Sequence, residues 1–205
     1  MRLRWIALAL LAAWPMRADD VAGHYYLRNV HEVGSELLLK PDGNFEFMLA
    51  YGAADYHAQG AWRRDNDSVV LNSVDKNDPP FRLVRSSAAK GDGIRLWVNA
   101  PNGEPVEHID VILKTADGVV KGQTSHEGVV YFGEAQQARE AFFEVRVYGV
   151  QAGPILLNPA HNEFHIEING EVIMQTSFQN ERLKIDGKAL ILKRGDDPPM
   201  RYERQ

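Results

Sequence analysis

The stretch LLLKPDGNFEFMLAY, residues 37–51, decides the fold of the N-terminal part of the chain. Apolar side chains alternate on both sides of Pro41-Asp42-Gly43, as in two half-buried strands joined by a turn. A three-residue loop, a type I turn with Gly43 in the left-handed bulge position, would set Leu39 opposite Phe45. A two-residue loop would turn the leucines to the opposite face from the aromatic side chains. The pattern therefore predicts a β-hairpin with the three-residue loop.

Short alternating stretches continue around this hairpin and are separated by polar turns rich in Asp, Asn and Pro. They predict strands at residues 24–31, 58–64, 68–74 and 81–85. Residues 134–140, EAQQARE, are the one candidate for a short helix. We expect an all-β chain in which residues 19–90 form an antiparallel meander or barrel.

The C-terminal stretch, residues 172–205, predicts further strands around a hairpin at Asp186-Gly187. A two-residue loop there would place Leu183 opposite Leu190. The smallest ligand-holding barrels have about eight strands, and the N-terminal stretch supplies about five. We therefore expect residues 172–205 to complete the first barrel, with the middle of the chain inserted. The alternative is two domains in series, with the tail completing the second.

The middle of the chain has a pattern of its own, which begins after the small, flexible stretch SSAAKGDG, residues 86–93. Its turn and strand residues follow Gly-x-Pro-Val and then Thr-Asp-x-x-Gly-x-Tyr/Phe-x-Phe. The matching positions are Gly103, Pro105, Val106, Ile109, Val111, Thr124, Gly128, Tyr131 and Phe132. This pattern resembles the carboxypeptidase-regulatory-like, transthyretin-like β-sandwich modules over about residues 93–168, although Ser125 stands where that family often has Asp. The resemblance implies a β-sandwich.

A second, vaguer resemblance concerns the flanking segments. The stretches LLLKPDGNFEF and GAWRRDNDSVVL, residues 37–47 and 60–71, are similar to small lipocalin-like exported bacterial domains. This similarity implies a barrel. The transthyretin fold also houses hydroxyisourate hydrolases, but their C-terminal Tyr-Arg-Gly-Ser motif is missing from the ending MRYERQ. We therefore do not expect that activity.

The first eighteen residues, MRLRWIALALLAAWPMRA, resemble a cleavable signal peptide with a basic start, a short apolar centre and a small last residue. Their apolar run of about ten residues is half the roughly twenty that span a bilayer. We expect cleavage near Ala18-Asp19 and a periplasmic or secreted protein; an uncut membrane anchor is the alternative. No later segment is apolar enough to span, so we do not expect an integral membrane protein.

Cysteine content and charge exclude several functions. The chain has no cysteine, which excludes disulfides, thiol catalysis and cysteine-based zinc sites. Its net charge is −5, and removal of the three arginines in residues 1–18 would make it −8. Because such a surface repels phosphate backbones, nucleic acid is not an expected partner.

The candidate ligand site is the stretch YGAADYHAQGAW, residues 51–62. It concentrates aromatic rings with polar tips, which stack on sugars or other flat ligands and hydrogen-bond at their edges. The candidate ligand-binding residues are Tyr51, Asp55, Tyr56, His57 and Trp62. The alternative is a turn with a core tryptophan and a surface histidine.

Candidates for metal binding and catalysis are weaker. His161 and His165 are four residues apart and would share a strand face, but a site normally needs three or four ligands. No serine lies in a Gly-x-Ser-x-Gly motif, and we expect no catalytic residue, metal or other cofactor.

These observations predict an exported, non-enzymatic binding protein with a small-molecule or glycan site at the barrel mouth. The alternative is a protein-interaction or accessory module of a periplasmic or secreted assembly, and an uncharacterised hydrolase is third. A concave aromatic pocket in the barrel would favour the first, and a filled barrel with an exposed apolar edge the second.

Overall fold

The computed structural model describes residues 20–205, and the predicted signal peptide lies outside the described residues. The prediction of an all-β chain is confirmed. The N-terminal strands are β1 (Gly23–Arg28), β2 (Val33–Leu39), β3 (Asn44–Tyr51), β4 (Ala54–Asp65) and β5 (Ser68–Ser73). The middle strands are β6 (Phe81–Ser87), β7 (Ile94–Asn99), β8 (Asp110–Thr115), β9 (Gly118–Gln123), β10 (Val129–Phe132), β11 (Glu140–Val145), β12 (Val150–Leu156) and β13 (Glu163–Ile168). The short helix α1 (Gly170–Ile173) then precedes β14 (Glu181–Asp186), β15 (Ala189–Leu192) and β16 (Met200–Arg204).

Eight antiparallel strands form a closed barrel in the order β1-β16-β15-β14-β5-β4-β3-β2. The three C-terminal strands lie between β1 and β5, so both ends of the chain build the same barrel. The part of the chain from β6 to α1, residues 81–173, forms a separate unit, which we call the inserted unit. Its two connections to the barrel run side by side. Ser177 Oγ in the second connection donates to the carboxylate of Asp75 in the first at 2.7 Å.

The hairpin between β2 and β3 has the predicted register. Leu39 pairs with Phe45 and Leu37 with Phe47, and all four side chains are buried in the barrel. Gly43 adopts a φ of +87° in the loop. Since glycine reaches positive φ at little cost, it allows the chain to reverse in three residues.

The hairpin between β14 and β15 differs from the prediction. Leu183 pairs with Leu192 instead of Leu190, and Gly187, with a φ of +60°, is the first residue of the two-residue loop. A shift of two residues keeps every side chain on its face, so the apolar pattern fits both registers. Glycine fits both registers as well, because it can be the second central residue of a type I′ turn or the first of a type II′ turn.

Side chains fill the interior of the barrel. The ring of Phe178, which precedes β14, packs against Phe45 and Phe47 with centroids 5.8 and 4.9 Å apart. The large buried residues of this core are Tyr25, Leu37, Leu39, Phe45, Phe47, Trp62, Leu71, Phe178, Leu183, Leu190, Leu192 and Tyr202. The middle of the barrel is therefore a packed hydrophobic core.

The inserted unit consists of two four-stranded sheets, in the orders β10-β7-β13-β6 and β12-β11-β8-β9. They bury a common core that includes Ile94, Leu96, Val98, Val111, Leu113, Phe143, Phe164 and Ile166. Phe81 of one sheet stacks on Phe143 of the other, with ring centroids 4.6 Å apart. The inserted unit thus has its own hydrophobic core, separate from that of the barrel.

Two boundaries predicted from the sequence require correction. The strand expected at residues 81–85 does not belong to the N-terminal barrel; as β6 it pairs with β13 of the inserted unit. Ser86 and Ser87 end β6, and residues 88–93 form a loop within that unit and do not link two domains. An alternating strand specifies which of its faces is buried but not which sheet it joins.

The short helix expected at residues 134–140 is also absent from the structure. These residues form no helix, and Ala135 and Ala138 of this segment are buried in the core of the inserted unit.

Candidate functional site

The five residues predicted to bind a ligand do not lie together. Tyr51, Asp55, Tyr56 and His57 surround the turn between β3 and β4. Trp62 lies six residues beyond Tyr56 on β4, roughly 20 Å away at 3.3 Å per residue. Its ring is buried, and its Nε1 donates to the carbonyl of Lys40 at 2.8 Å. Trp62 is thus a core residue at the opposite end of the barrel.

The residues near the β3–β4 turn form the junction between the barrel and the inserted unit. The ring of Tyr56 packs edge-on against that of Tyr148, with centroids 5.5 Å apart. The backbone N–H of Asp55 donates to Tyr148 Oη at 3.3 Å. Tyr148 belongs to a 3-10 turn, Arg146–Tyr148, that follows β11. The polar tip of this tyrosine is thus used to join the two parts of the molecule.

His57 takes part in the same junction through its backbone and its ring. Its backbone N–H donates to the carbonyl of Met174 at 3.0 Å, and its carbonyl accepts from Thr176 at 2.8 Å. Its Nε2 lies 3.9 Å from a carboxylate oxygen of Glu171, which also accepts from Lys76 Nζ at 3.0 Å. The hydrogen bond and charge of Lys76 lower the pKa of Glu171. Glu171 is therefore an ionised, paired carboxylate at neutral pH.

A cleft of about 820 Å³ lies beside this junction, and we call it the junction cleft. Five segments border it. They are the tip of the β3–β4 turn, the segment between β7 and β8, Gln123 at the end of β9, the end of β11 with the 3-10 turn, and the end of β13 with α1. Its apolar lining consists of Ala53, Ala100, Pro101, Val106, Ile109, Val145, Val147, Tyr148, Ile168, Ile173 and Met174. Small-molecule sites are typically apolar clefts of roughly 300–1,000 Å³, so the junction cleft has the size and lining of such a site.

The cation at the rim of the junction cleft, Arg146, is paired within the protein. Arg146 donates through Nη2 to Asp110 Oδ1 at 2.8 Å, and Gln123 Nε2 donates to the same oxygen at 3.1 Å. Asp110 is almost completely buried, whereas the Arg146 side chain is largely exposed. The buried carboxylate thus fixes the guanidinium in place and neutralises it.

Glu107 and His108 form a second exposed part of the rim. His108 Nδ1 lies 3.8 Å from a carboxylate oxygen of Glu107. His108 has a φ of +63°, an uncommon conformation for a residue other than glycine. Both residues precede β8 and line the cleft.

The barrel mouth itself holds a smaller recess of about 310 Å³. Asp55 and Tyr56 line it, but Tyr51 and His57 are not among its lining residues. Ser35 Oγ donates to the carbonyl of Met48 at 2.7 Å and lies 3.0 Å from Tyr202 Oη. The predicted barrel-mouth site is therefore a shallow recess above a packed core, smaller than the junction cleft.

The two histidines considered for metal binding contact other side chains. The ring of His165 stacks on Trp97 at 4.6 Å, and its Nε2 lies 2.8 Å from Arg85 Nη2. His161 precedes β13, so the two rings do not share a strand face, and its Nδ1 lies 2.8 Å from Ser86 Oγ. Within residues 20–205, no group of three or more metal-ligating side chains is placed to hold an ion. The same part of the chain contains no helix of sufficient length and apolarity to cross a membrane.

Sequence reasoning did not identify the residues of the junction cleft. They come from five separate segments, around residues 53, 100–109, 123, 145–148 and 168–174. The sequence offered one weak signal, the apolar Val147 between the polar-tipped Arg146 and Tyr148. In the structure Val147 is 49% exposed. An exposed apolar residue in a loop is unremarkable alone. Only the folded arrangement of the five segments places Val147 in the wall of a cleft.

The chain matches no known family model, and comparisons with curated proteins and with solved structures found no similar protein. The resemblances to transthyretin-like and lipocalin-like domains remain predictions from the sequence.

Proposed function

We propose that this is an exported, non-enzymatic binding protein whose ligand is an apolar small molecule held in the junction cleft. The observation that carries the proposal is a concave, mainly apolar site of about 820 Å³ at the junction of two packed units. Ligand sites occur preferentially at such junctions. A molecule bound there would contact both the barrel, through Ala53, and the inserted unit.

The barrel mouth is less suited to a glycan, for two reasons. Phe178 fills the barrel below it, and the hydroxyl of Ser35 is already used in a hydrogen bond to the carbonyl of Met48. Sugars need many free hydrogen-bonding groups as well as an aromatic surface. These features favour the junction cleft over the barrel mouth and an apolar ligand over a sugar.

The chemistry of the cleft favours binding over catalysis. Its described lining contains no serine, threonine or cysteine to serve as a nucleophile. Of its carboxylates, Glu171 is paired with Lys76, and the lowered pKa of this glutamate is opposite to what a general acid needs.

A fluorescence titration with N-phenyl-1-naphthylamine, a neutral apolar dye that brightens in apolar sites, tests the proposal. We expect saturable binding that Ala53→Trp and Val147→Asp each weaken about tenfold, since one fills the cleft and the other places a charge in its lining. Ala116→Trp is the control, because Ala116 is exposed in the turn between β8 and β9, away from the cleft. Absence of saturable binding, or equal affinity in all three variants, would refute the proposed function.

A second candidate function is protein interaction through the β12-β11-β8-β9 sheet. Leu156 on β12 is 75% exposed and Val119 on β9 is 57% exposed, and both strands are edges of this sheet. Edge strands and exposed apolar side chains are typical docking features. If this surface carries the function, a Leu156→Asp/Val119→Asp protein will lose a co-purifying partner and keep its dye binding.

A further inference from the structure

We infer that the junction cleft takes apolar molecules that are neutral or cationic and discriminates against anionic ones, such as fatty acids. This inference rests on the proposed function, since it specifies the ligand class of the same site. It is drawn from the charged side chains at the rim of the cleft and from what each of them already contacts.

The cations at the rim are already neutralised. Arg146 is held by the carboxylate of Asp110 through Nη2 and Nε, and Lys76 is held by Glu171 at 3.0 Å. An anionic head group would have to take one of these cations away from its carboxylate. That exchange would leave a carboxylate unpaired, and for the nearly buried Asp110 the loss of its partner is costly.

One carboxylate at the rim lacks such a cationic partner among the described contacts. Glu107 lies near the ring of His108 alone, at 3.8 Å, and the ring is 73% exposed. The lining of the cleft thus carries the carboxylates of Glu107 and Glu171 against the guanidinium of Arg146. Asp110 and Lys76 lie outside the lining, where they pair with Arg146 and Glu171 and add one charge of each sign.

The surroundings strengthen this excess of negative charge. The apolar lining of the cleft lowers the local dielectric constant, which makes a nearby charge act more strongly than it does in water. The whole chain also has a net charge of −5. An anionic head group would be repelled by the acidic rim, and the cations near the rim are already paired with carboxylates. A neutral or cationic head group would not be repelled.

Two dyes that share one ring system test the inference. N-phenyl-1-naphthylamine is neutral, and 8-anilinonaphthalene-1-sulfonate adds one negative charge to the same scaffold. In about 10 mM salt we expect the neutral dye to bind at least about tenfold more tightly than the sulfonate dye. This gap between the two affinities should narrow in about 0.5 M salt, because the salt screens the charges. A gap that does not change with salt would overturn the inference, because hydrophobicity alone would then explain it.

A charge-reversal variant separates the effect of Glu107 from the general acidity of the protein. Glu107→Lys should tighten binding of the sulfonate dye about fivefold or more and leave the neutral dye within about twofold. Glu134→Lys is the matched control, because Glu134 is exposed beyond the far end of β10 and does not line the cleft. Equal effects of the two substitutions on the sulfonate dye would contradict a local role for Glu107.

Competition against the bound neutral dye tests the ligand class directly. Dodecanol and dodecylamine should displace it, and dodecanoate, which has the same chain length, should be at least about tenfold weaker in low salt. Equal competition by all three would overturn the charge selectivity and leave the proposed function intact. If the neutral dye itself does not bind, the proposed function fails first.

Discussion

Tyr148 of the inserted unit meets Tyr56 of the barrel edge to face, with ring centroids 5.5 Å apart. The same Tyr148 accepts a hydrogen bond from the backbone of Asp55 and lines the junction cleft. One side chain thus connects the barrel, the inserted unit and the proposed ligand site. We therefore expect changes at Tyr148 to affect stability and binding together.

Tyr148→Ala should lower the free energy of unfolding by about 1–2 kcal/mol, because it removes an aromatic pair and part of the cleft wall. Tyr148→Phe keeps the ring pair and loses a long, exposed hydrogen bond, so we expect a loss below about 1 kcal/mol. Urea denaturation measures both. Tyr51→Ala, at an exposed position on the same β3–β4 hairpin, is the control; a loss there as large as that of Tyr148→Ala would argue against a specific role for the junction.

Phe178→Ala should be among the most destabilising single substitutions in the barrel. It removes the ring that packs against Phe45 and Phe47 and leaves a cavity, at a typical cost of about 3–5 kcal/mol. Phe142→Ala, at a half-buried position of the inserted unit, should cost less. Denaturant titrations compare the two variants, and a small effect at Phe178 would mean that this ring does not support the barrel core.

The hairpin 37–51 shows why part of the fold is predictable from sequence. The turn residues and the apolar pattern agree on one register, which the structure has. In the β14–β15 hairpin the apolar pattern fits two registers equally, because a shift of two residues preserves the faces. The register of a hairpin is predictable from sequence only where a single register satisfies both the turn residues and the apolar pattern.

The candidate site was less predictable, for a geometric reason. Tyr56 and Trp62 have even spacing on β4 and therefore share a face, but they lie at opposite ends of the barrel. The junction cleft is assembled from five segments that are distant in sequence, and no local pattern marks such an assembly.

Gly60→Ala should destabilise the barrel much more than Gly34→Ala. A Cβ at Gly60 would overlap the carbonyl of Asn72 on β5 and lie 2.7 Å from the Cα of Ser73, so the two strands would have to move apart. A Cβ at Gly34 on β2 would meet no atom within 4 Å. We expect a loss of about 2 kcal/mol or more at Gly60 and little change at Gly34, measured by thermal or urea unfolding. Equal effects would show that β4 and β5 do not approach as closely as the structure has them.

The stability of the protein should fall between about pH 7 and about pH 5 in part through His165. Burial and then the charge of Arg85 lower the pKa of this histidine below its ordinary value near 6.5. The unfolded chain therefore binds a proton at His165 more readily than the folded chain does. The contribution of His165 to the free energy of unfolding is present above about pH 6.5, and it is lost as the pH falls towards the lower pKa of the folded state.

Urea unfolding at several pH values checks this expectation. His165→Gln should flatten the dependence of stability on pH in that range, whereas His126→Gln, at an exposed turn position, should leave it as in the wild type. A pH dependence that is the same in all three proteins would show that the Trp97–His165–Arg85 arrangement does not hold the imidazole neutral.

The most direct test of the central claim is to map the bound dye by NMR with methyl-labelled protein. If N-phenyl-1-naphthylamine binds in the junction cleft, the methyl signals of Val147, Ile168 and Ile173 will shift or broaden as the dye is added. The methyl signals of Leu71, Leu190 and Leu192 in the barrel core will stay in place. Shifts confined to the barrel methyls, with those of the cleft unchanged, would contradict the account and place the ligand inside the barrel.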